Sequence, residues 1–289
     1  MLETSAVAAA EPLVPPRATS ERARTLLTYA ALVAISLLFF VPFLWALSTS
    51  LKTLPQTAFF HLLPHPWTIA PYREALSKFN FALYMRNSAF LAAVITASNV
   101  FLAGLGGYAF ARLRFPGREL LFLLVLSTLM IPDQLRLVPV FVMLTNWHLV
   151  NSFASYILIS LVTAGNLFFM RQYFLTIPKD FEEAAKLDGA GYFKTFRRVM
   201  LPLAGPALAA VTILQFQGVW NDFFWPNLLL QDPAHYVLTT GLAQFVFQYS
   251  TQWNDLMAAS LITMAPIVLL FVFFQRYFIS GVVSAGVKG

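Results

Sequence analysis

The sequence contains no cysteine and few charged residues. Of its 289 residues only 11% are charged, whereas 58% are hydrophobic and the mean hydropathy is +0.69. The absence of cysteine excludes a disulfide framework, a thiolate metal site and a cysteine nucleophile. So little charge is untypical of a soluble domain. The composition therefore predicts an integral membrane protein.

Signatures of catalysis are also missing from the sequence. It has no glycine-rich phosphate loop ending in Lys-Ser or Lys-Thr, no His-Glu-x-x-His and no nucleophile elbow. The glycines at positions 104, 106 and 107 are no nucleotide fingerprint, because no strand precedes them, and they indicate close helix packing instead. The four histidines are too scattered for a metal site: His61, His65, His148 and His235. We therefore expect a chain that is not an enzyme and holds no metal.

Long apolar stretches dominate the sequence. Crossing a hydrocarbon core of about 30 Å takes about 20 helical residues at about 1.5 Å each. Six stretches have this length: 26–47, 88–111, 120–144, 153–173, 203–225 and 256–278. Arg22 and Arg24 before the first stretch are typical of a cleavable signal sequence, but the apolar run is too long for one. The predicted fold class is an all-α membrane protein with six transmembrane helices.

The basic residues predict the orientation, since cytoplasmic loops carry an excess of Lys and Arg. With six spans, both termini lie on one side. This topology accounts for the net charge of +6 without a nucleic-acid partner. If the termini are cytoplasmic, fourteen of the nineteen basic residues lie inside: Arg17, Arg22, Arg24, Arg112, Arg114, Arg118, Arg171, Lys179, Lys186, Lys194, Arg197, Arg198, Arg276 and Lys288.

The spans also divide the chain into regions. Residues 1–25, rich in Ala, Pro and Glu, are predicted to form a flexible cytoplasmic tail. Residues 26–279 form the membrane-spanning part, and residues 280–289 form a second cytoplasmic tail. Two loops are long enough to have structure of their own, an outer loop at 48–87 and an inner loop at 178–202.

The inner loop 178–202 has the pattern of two short helices joined by a turn. Asp180 is predicted to cap the first helix, with Glu183 reaching back in a capping box. Gly189 is predicted to end that helix, because glycine accepts the left-handed conformation. The second helix is predicted to be amphipathic and suited to the inner membrane surface. Its apolar residues Tyr192, Phe193, Phe196, Val199 and Met200 lie opposite Lys194, Arg197 and Arg198.

The same loop reads Glu-Ala-Ala, two residues, Asp-Gly-Ala, eight residues, valine, one residue and Leu-Pro. This pattern resembles the signature loop of permeases of binding-protein-dependent ABC importers, although Val199 stands where that family more often has isoleucine. The resemblance implies a type I importer fold with a core module at about 85–278, and a coupling loop that docks on an ATP-hydrolysing subunit. The implied docking residues are Glu183, Ala184, Ala185, Asp188, Gly189, Ala190, Leu201 and Pro202.

Resemblance also implies the partners and the substrate class. The sequence Trp-Asn-Asp-Phe-Phe-Trp-Pro-Asn at 220–227 and the C-terminal sequence resemble the smaller permease subunit of maltose-type carbohydrate importers. That family implies a second permease subunit, two ATPase subunits that carry ATP and Mg, and an extracytoplasmic sugar-binding protein. No cofactor is implied in this chain.

Six polar residues are candidates for the substrate path, each with a structural alternative. Charge in a membrane is costly and is normally paired or faces a cavity. Asp133 and Arg136 fit a local ion pair on one helix face or a substrate contact. Asn166 and Gln215 line the path or hydrogen-bond between helices, the commoner use. Asn221 and Asp222 contact a sugar or cap helix ends.

Two alternative functions remain at this point. An ion-coupled secondary transporter could use Asp133 and Arg136 as a relay. An ABC permease for a non-sugar solute would have the same coupling loop. The coupling-loop pattern disfavours the first, and the carbohydrate-like C-terminal half disfavours the second.

Overall fold

A computed structural model describes residues 17–78, 80–246 and 251–286. Predictions for residues 1–16 and 287–289 lie outside this described part. Apart from one isolated antiparallel bridge between Val246 and Thr251, the described residues form helices and connecting turns. The predicted all-α class is therefore confirmed for them.

Fifteen α-helices are numbered in chain order within the described ranges. They are α1 (Arg17–Ser50), α2 (Leu54–Thr57), α3 (Ala70–Lys78), α4 (Phe81–Arg112), α5 (Arg118–Ser127), α6 (Asp133–Asn146), α7 (Phe153–Ser160), α8 (Ala164–Thr176), α9 (Asp180–Leu187), α10 (Tyr192–Thr195), α11 (Leu201–Leu203), α12 (Gly205–Asn221), α13 (Phe224–Leu229), α14 (Leu238–Ala243) and α15 (Trp253–Gly286). Two of them differ from the predicted tails, since α1 begins before residue 26 and α15 continues beyond residue 280.

Four helical stretches in the described part are long and apolar enough to cross a membrane. They are Ala23–Ser50, Phe81–Arg112, Phe153–Thr176 and Trp253–Gln275. Two bent pairs raise the number to six if each pair is one span. These stretches overlap the six predicted ones and give four to six candidate spans in the described part of the chain.

The third predicted span, 120–144, is not a straight helix. Residues Arg118–Met130 and Asp133–Asn146 meet at 104°. Ile131, between them, is extended with φ −94° and ψ 112°. Proline disfavours the helical conformation at the preceding residue and lacks a backbone N–H, so Pro132 breaks the helix here.

The fifth predicted span, 203–225, follows a bend in the chain and ends earlier than expected. Residues Tyr192–Leu203 and Gly205–Asn221 meet at 76°, with the break at Ala204. Prolines at positions 202 and 206 flank this break. The helix then ends at Asn221 because Asp222 is extended, with φ −67° and ψ 123°.

Helix α4 lies at the centre and packs against α8 and α12. It approaches α8 closely at Gly107, where an added Cβ atom would lie 2.6 Å from Cβ of Met170 and 2.9 Å from the backbone nitrogen of Arg171. Only glycine permits this distance. The packing role predicted for this glycine run is confirmed most strongly at Gly107.

The core consists of two clusters of buried side chains, one toward each end of the molecule. The long-loop end, which carries residues 222–246, contains Leu91, Trp220, Leu230, Leu238 and Phe245. The motif end, which carries residues 178–202, contains Tyr108, Met170, Phe174, Phe196 and Met200. Each end of the bundle thus has its own cluster of buried side chains, against which its loop packs.

Candidate functional site

The first half of the motif loop forms the predicted helix and turn. Gly189 has φ +72°, in the left-handed region that favours glycine. The backbone N–H of Ala190 donates to the carbonyl oxygen of Ala185 at 2.9 Å, and that of Gly189 donates to Lys186 at 3.0 Å. These bonds close the end of α9 in the manner of a glycine C-cap. The predicted glycine stop is confirmed.

The predicted capping box at the start of this helix is wrong. The helix begins at Asp180, its N-cap is Lys179, and no side chain caps it. Asp180, Glu182 and Glu183 instead lie in the first turn, where the helix dipole favours negative charge. Lys179 occupies the cap position with its backbone in the helical region, at φ −69° and ψ −23°.

The implied docking residues form a mostly exposed surface, which we call the motif face. Glu183, Ala184, Asp188, Gly189 and Pro202 are exposed, Ala190 and Leu201 are half-buried, and Ala185 is buried. Beside them, Leu187 is 89% exposed. Small and apolar residues therefore face away from the bundle.

The second half of the loop departs from the predicted amphipathic α-helix. After the single turn of α10, residues Phe196–Met200 form a π-helical turn. Phe196 and Met200 are buried in the motif-end core, whereas Tyr192 and Phe193 are 64% and 66% exposed. The wider turn changes the direction of successive side chains, so the apolar residues split between the core and the surface.

A buried pair of charges connects the motif loop to the spans. The Arg112 side chain, at the end of α4, is 5% exposed, and its Nε atom lies 3.9 Å from Oε1 of Glu182. Its Nη2 atom donates to the carbonyl oxygen of Phe174 at 2.6 Å and also to that of Ile177. One guanidinium therefore joins α4, the end of α8 and α9.

Sequence reasoning missed this pair. It placed Arg112 among the cytoplasmic charges and passed over Glu182 for its neighbour Glu183. Adjacency alone does not show which of two neighbouring acids on a short helix faces the bundle. Helical geometry separates them by about 100°, and Glu182 is the one that faces the bundle.

At the long-loop end, Asp222 is held within the chain. Its Oδ2 atom accepts a hydrogen bond from the Tyr156 hydroxyl at 2.8 Å, and its Oδ1 atom accepts from the backbone N–H of Phe224 at 2.9 Å. Burial raises the pKa of this carboxyl above its ordinary value, although the hydrogen bonds oppose the shift. Asp222 therefore accepts from the first backbone N–H groups of α13, whose N-cap is Phe223, and its exposed neighbour Asn221 ends α12.

Other polar residues fasten the long loop to α4. Asn87 donates from Nδ2 to the carbonyl oxygens of Ala234 and Tyr236 at 3.0 and 2.9 Å. The backbone N–H of Leu238 donates to the Ser88 hydroxyl at 2.9 Å. These two side chains at the start of the second span were not singled out from the sequence, where nothing marks their partners about 150 residues away.

Asp133 and Arg136 form an ion pair three residues apart on α6. Their side chains are 58% and 46% exposed on the surface of the chain. The local ion pair, one of the two readings of these residues, is thus present. The contact neutralises both charges at a point where the span bends.

Asn166 and Gln215 join three helices through side-chain amides. Asn166 Nδ2 lies 2.9 Å from Oδ1 of Asn99 on α4 and 2.8 Å from Oε1 of Gln215 on α12. Asn99 in turn donates to the carbonyl oxygen of Ser160 at 3.3 Å. The interhelical hydrogen bond is therefore present, and Asn99 is an addition to the predicted residues.

These amides lie at a break in the fourth span. Between α7 and α8, residues 161–163 leave the helix, and the Thr163 hydroxyl accepts from the backbone N–H of Asn166. Asn166 and Gln215 are half-buried, while Asn99 is fully buried. Elsewhere in the described ranges, no group of three or more His, Asp or Glu side chains is placed to hold a metal ion.

Comparison with known sequences identifies relatives over most of the chain. Residues 100–284 match the family described as binding-protein-dependent transport system inner membrane component. The arabinooligosaccharides transport system permease protein AraQ of Halalkalibacterium halodurans is 42% identical over 203 residues, covering 70% of this chain and 73% of that protein. The diacetylchitobiose uptake system permease protein NgcG of Streptomyces coelicolor is 35% identical over 274 residues, covering 93% and 90%.

A further relative transports a different kind of solute. The sn-glycerol-3-phosphate transport system permease protein UgpE of Yersinia pestis is 34% identical over 207 residues, covering 71% of this chain and 74% of that protein. The predicted resemblance to carbohydrate ABC importer permeases is confirmed. The relatives are permease subunits and not enzymes.

The fold also matches solved structures. A chain from a bacterial ABC transporter involved in import of the acidic polysaccharide alginate superposes with a TM-score of 0.80 at 23% identity, covering 92% of this chain and 100% of that one. A second, from a bacterial alginate ABC transporter in complex with an alginate pentasaccharide-bound periplasmic protein, has a TM-score of 0.65 at 18% identity. This chain belongs to the family of binding-protein-dependent transport system inner membrane components, the membrane-spanning permease subunits of ABC importers.

Proposed function

We propose that this chain forms half of the translocation path of an ATP-driven sugar importer and couples that path to ATPase subunits through the motif face. In this proposal it has six spans, both bent pairs cross the membrane, and both termini are cytoplasmic. The chain occupies the inner membrane and works with a second permease subunit.

The exposed motif face on a rigid base is the observation that carries the proposal. Ala184 and Gly189 offer a surface with little side-chain bulk, which lets a partner approach the backbone closely. Glu183 and Asp188 offer negative charge to basic groups of that partner. A face of this kind is complementary to a groove on another protein and has no evident use inside the chain.

The buried pair Arg112 and Glu182 supplies a route for coupling. A force on α9 acts on Glu182, and through Arg112 it reaches the ends of α4 and α8. Packed elements joined in this way move together instead of deforming separately. Movement of the motif face would thus alter the packing of the two central helices.

We place the substrate path beside the broken fourth span. Residues 161–163 leave the helix, and non-helical backbone within a membrane is tolerated where it faces protein or a water-filled cavity. Asn166 and Gln215 supply amide groups there, and amides donate and accept hydrogen bonds as sugar hydroxyls require. Asp133, Arg136, Asn221 and Asp222 stay predictions as path residues. Asp133 pairs with Arg136, and Asp222 accepts hydrogen bonds from Tyr156 and Phe224.

The proposal assigns the chemistry of ATP to partner subunits. Two ATPase subunits would bind ATP and Mg, and one of them would dock on the motif face. An extracytoplasmic binding protein would deliver the sugar at the long-loop end. The names of AraQ and NgcG support an oligosaccharide or disaccharide as the solute.

A polar organic phosphate is the second candidate solute. It is supported by the similarity to UgpE, whose name specifies sn-glycerol-3-phosphate. A binding screen of the cognate binding protein with oligosaccharides and sugar phosphates separates the two candidates. Tight binding of an uncharged oligosaccharide supports the sugar importer, and binding of phosphate esters alone contradicts it.

Transport in reconstituted vesicles tests the energy source. The purified complex in proteoliposomes is expected to take up solute only with ATP on the motif-face side and binding protein on the other. Uptake that persists without ATP while an ion gradient is held, together with purification of the chain without an ATPase subunit, would indicate a secondary transporter.

A further inference from the structure

A groove lies between α4, α12 and the π-helical turn at the motif end. It has a volume of about 400 Å³ and is lined by Val100, Phe101, Phe196, Leu201, Leu208 and Arg197. Phe101 is 60% exposed on α4, a candidate span, so the groove opens on the outer surface of the chain. An apolar groove in this position suits a hydrocarbon chain.

The mouth of the groove carries positive charge. Arg197 lines it, and Lys194 and Arg198 are exposed on the same segment. The sequence has no acidic residue between Asp188 and Asp222. Within the described ranges the Arg197 guanidinium has no hydrogen bond or ion pair, whereas Arg112, Arg118 and Arg171 all have acidic neighbours. The Arg197 charge is therefore available to a ligand from outside the chain.

We propose that this groove binds an anionic phospholipid, with an acyl chain against Val100 and Leu208 and the phosphate on Arg197. Such a ligand satisfies both properties of the groove at once. An apolar helix of a second permease would fill the groove but would bury the Arg197 charge without a counter-charge, which is costly. A lipid phosphate supplies that counter-charge.

The location of the groove agrees with this ligand. The lipid proposal rests on the proposed function in one respect, namely that the motif end is cytoplasmic. The cytoplasmic leaflet is rich in anionic lipids and attracts basic segments near the membrane surface. Phe193 also lines the groove, and its neighbour Tyr192 is exposed, as is typical of tyrosine in the interfacial layer. The bound lipid would pack against residues 193–201, which follow Ala190 of the motif face.

Lipid retention by the purified importer complex tests the proposal. The complex in detergent is titrated with phosphatidylglycerol or phosphatidylcholine of identical acyl chains, and bound lipid is counted by native mass spectrometry. We expect phosphatidylglycerol to be retained preferentially. Arg197→Gln should reduce its retention about fivefold, the effect of about one lost charge at the membrane surface, and Arg114→Gln, at an exposed arginine of another loop, should not.

A second variant tests the apolar part of the site. Val100→Trp fills the groove and should reduce retention of both lipids, whereas Val100→Leu should leave it near the wild-type level. Unchanged phosphatidylglycerol retention in Arg197→Gln would overturn the proposal. So would a photocrosslink from position 101 to the second permease without any retained lipid. Because lipid counting in detergent needs neither ATP nor transport, its failure is distinguishable from failure of the importer proposal.

Discussion

At the long-loop end the polar side chains are used within the chain, whereas at the motif end several face outward. Asp222 accepts from Tyr156 and from the backbone of α13, and Asn87 holds two carbonyl oxygens of the loop. Glu183 and Asp188 are exposed on α9 and its C-cap. The long loop is thus fastened by its own contacts, while the motif loop combines a buried anchor with an outer face available to a partner.

This difference separates two kinds of acidic residue on one short helix. Glu182 and Glu183 are neighbours, but the first is buried against Arg112 and the second is exposed. Changes at Glu182 should therefore affect stability, and changes at Glu183 should affect only the interaction with a partner.

The largest effect is expected from Arg112→Met. It leaves the Glu182 carboxylate buried without its cation, which costs about 3 to 5 kcal/mol for a buried pair. The thermal midpoint of the detergent-purified chain should fall sharply, and the double variant with Glu182→Leu should recover part of the loss. Glu183→Leu, its exposed control, should keep the wild-type midpoint. Equal losses in Arg112→Met and Glu183→Leu would contradict the division into anchor and outer face.

A smaller loss is expected from Gly107→Ala at the contact between α4 and α8. The added methyl group would overlap Met170 and the backbone of Arg171, and overpacking of this kind costs about 1 to 3 kcal/mol. Gly165→Ala is the matched control, because an added Cβ on this helical glycine meets nothing within 4 Å. If both variants unfold at the same temperature, the close approach at Gly107 is not needed for stability.

The turn after α9 should matter for coupling more than for folding. Gly189 has φ +72°, and a β-branched residue there costs about 1 to 2 kcal/mol. We expect Gly189→Val to insert normally but to lower solute-stimulated ATP hydrolysis and uptake. Gly191→Val is the control, since Gly191 is extended with φ −73° and ψ 168°. Normal stimulation in Gly189→Val would show that the turn has no role in coupling.

The smallest effect concerns the pH dependence of the long-loop end. Burial raises the pKa of Asp222, so the folded state favours its protonated form. By linkage, stability should fall as pH rises from about 4 through the raised pKa and then level off. Asp222→Asn should remove this slope and stay within about 1 kcal/mol of the wild type. A thermal midpoint that rises over this interval in the wild type alone would contradict the raised pKa.

The sequence predicted the helical class, the spans and the glycine turn because each depends on local features. Apolar length identifies a span, and a glycine after an amphipathic turn identifies a helix end. It failed where the outcome depends on residues far apart in the chain. Two features depend on packing against α4 and α8, which no local pattern contains. They are the π-helical turn at Phe196–Met200 and the pairing of Arg112 with Glu182.

The candidate path residues show the same division. The contacts of Asp133 with Arg136 and of Asp222 with the start of α13 are local, and both were foreseen as structural alternatives. The amide network needs Asn99, Asn166 and Gln215 from three helices, and only two of these were recognised. Sequence spacing alone does not indicate which polar residues of different spans meet.

Crosslinking from the motif face tests the central claim most directly. The chain has no cysteine, so Ala184→Cys introduces a single thiol at the exposed centre of the motif face. A thiol-directed photocrosslinker at this position is expected to join the ATPase subunit in high yield, with the yield changing when ATP binds. The same reagent at Gln231→Cys, exposed at the long-loop end, should give no such product. An ATPase crosslink absent at position 184, or equally strong at position 231, would contradict the account.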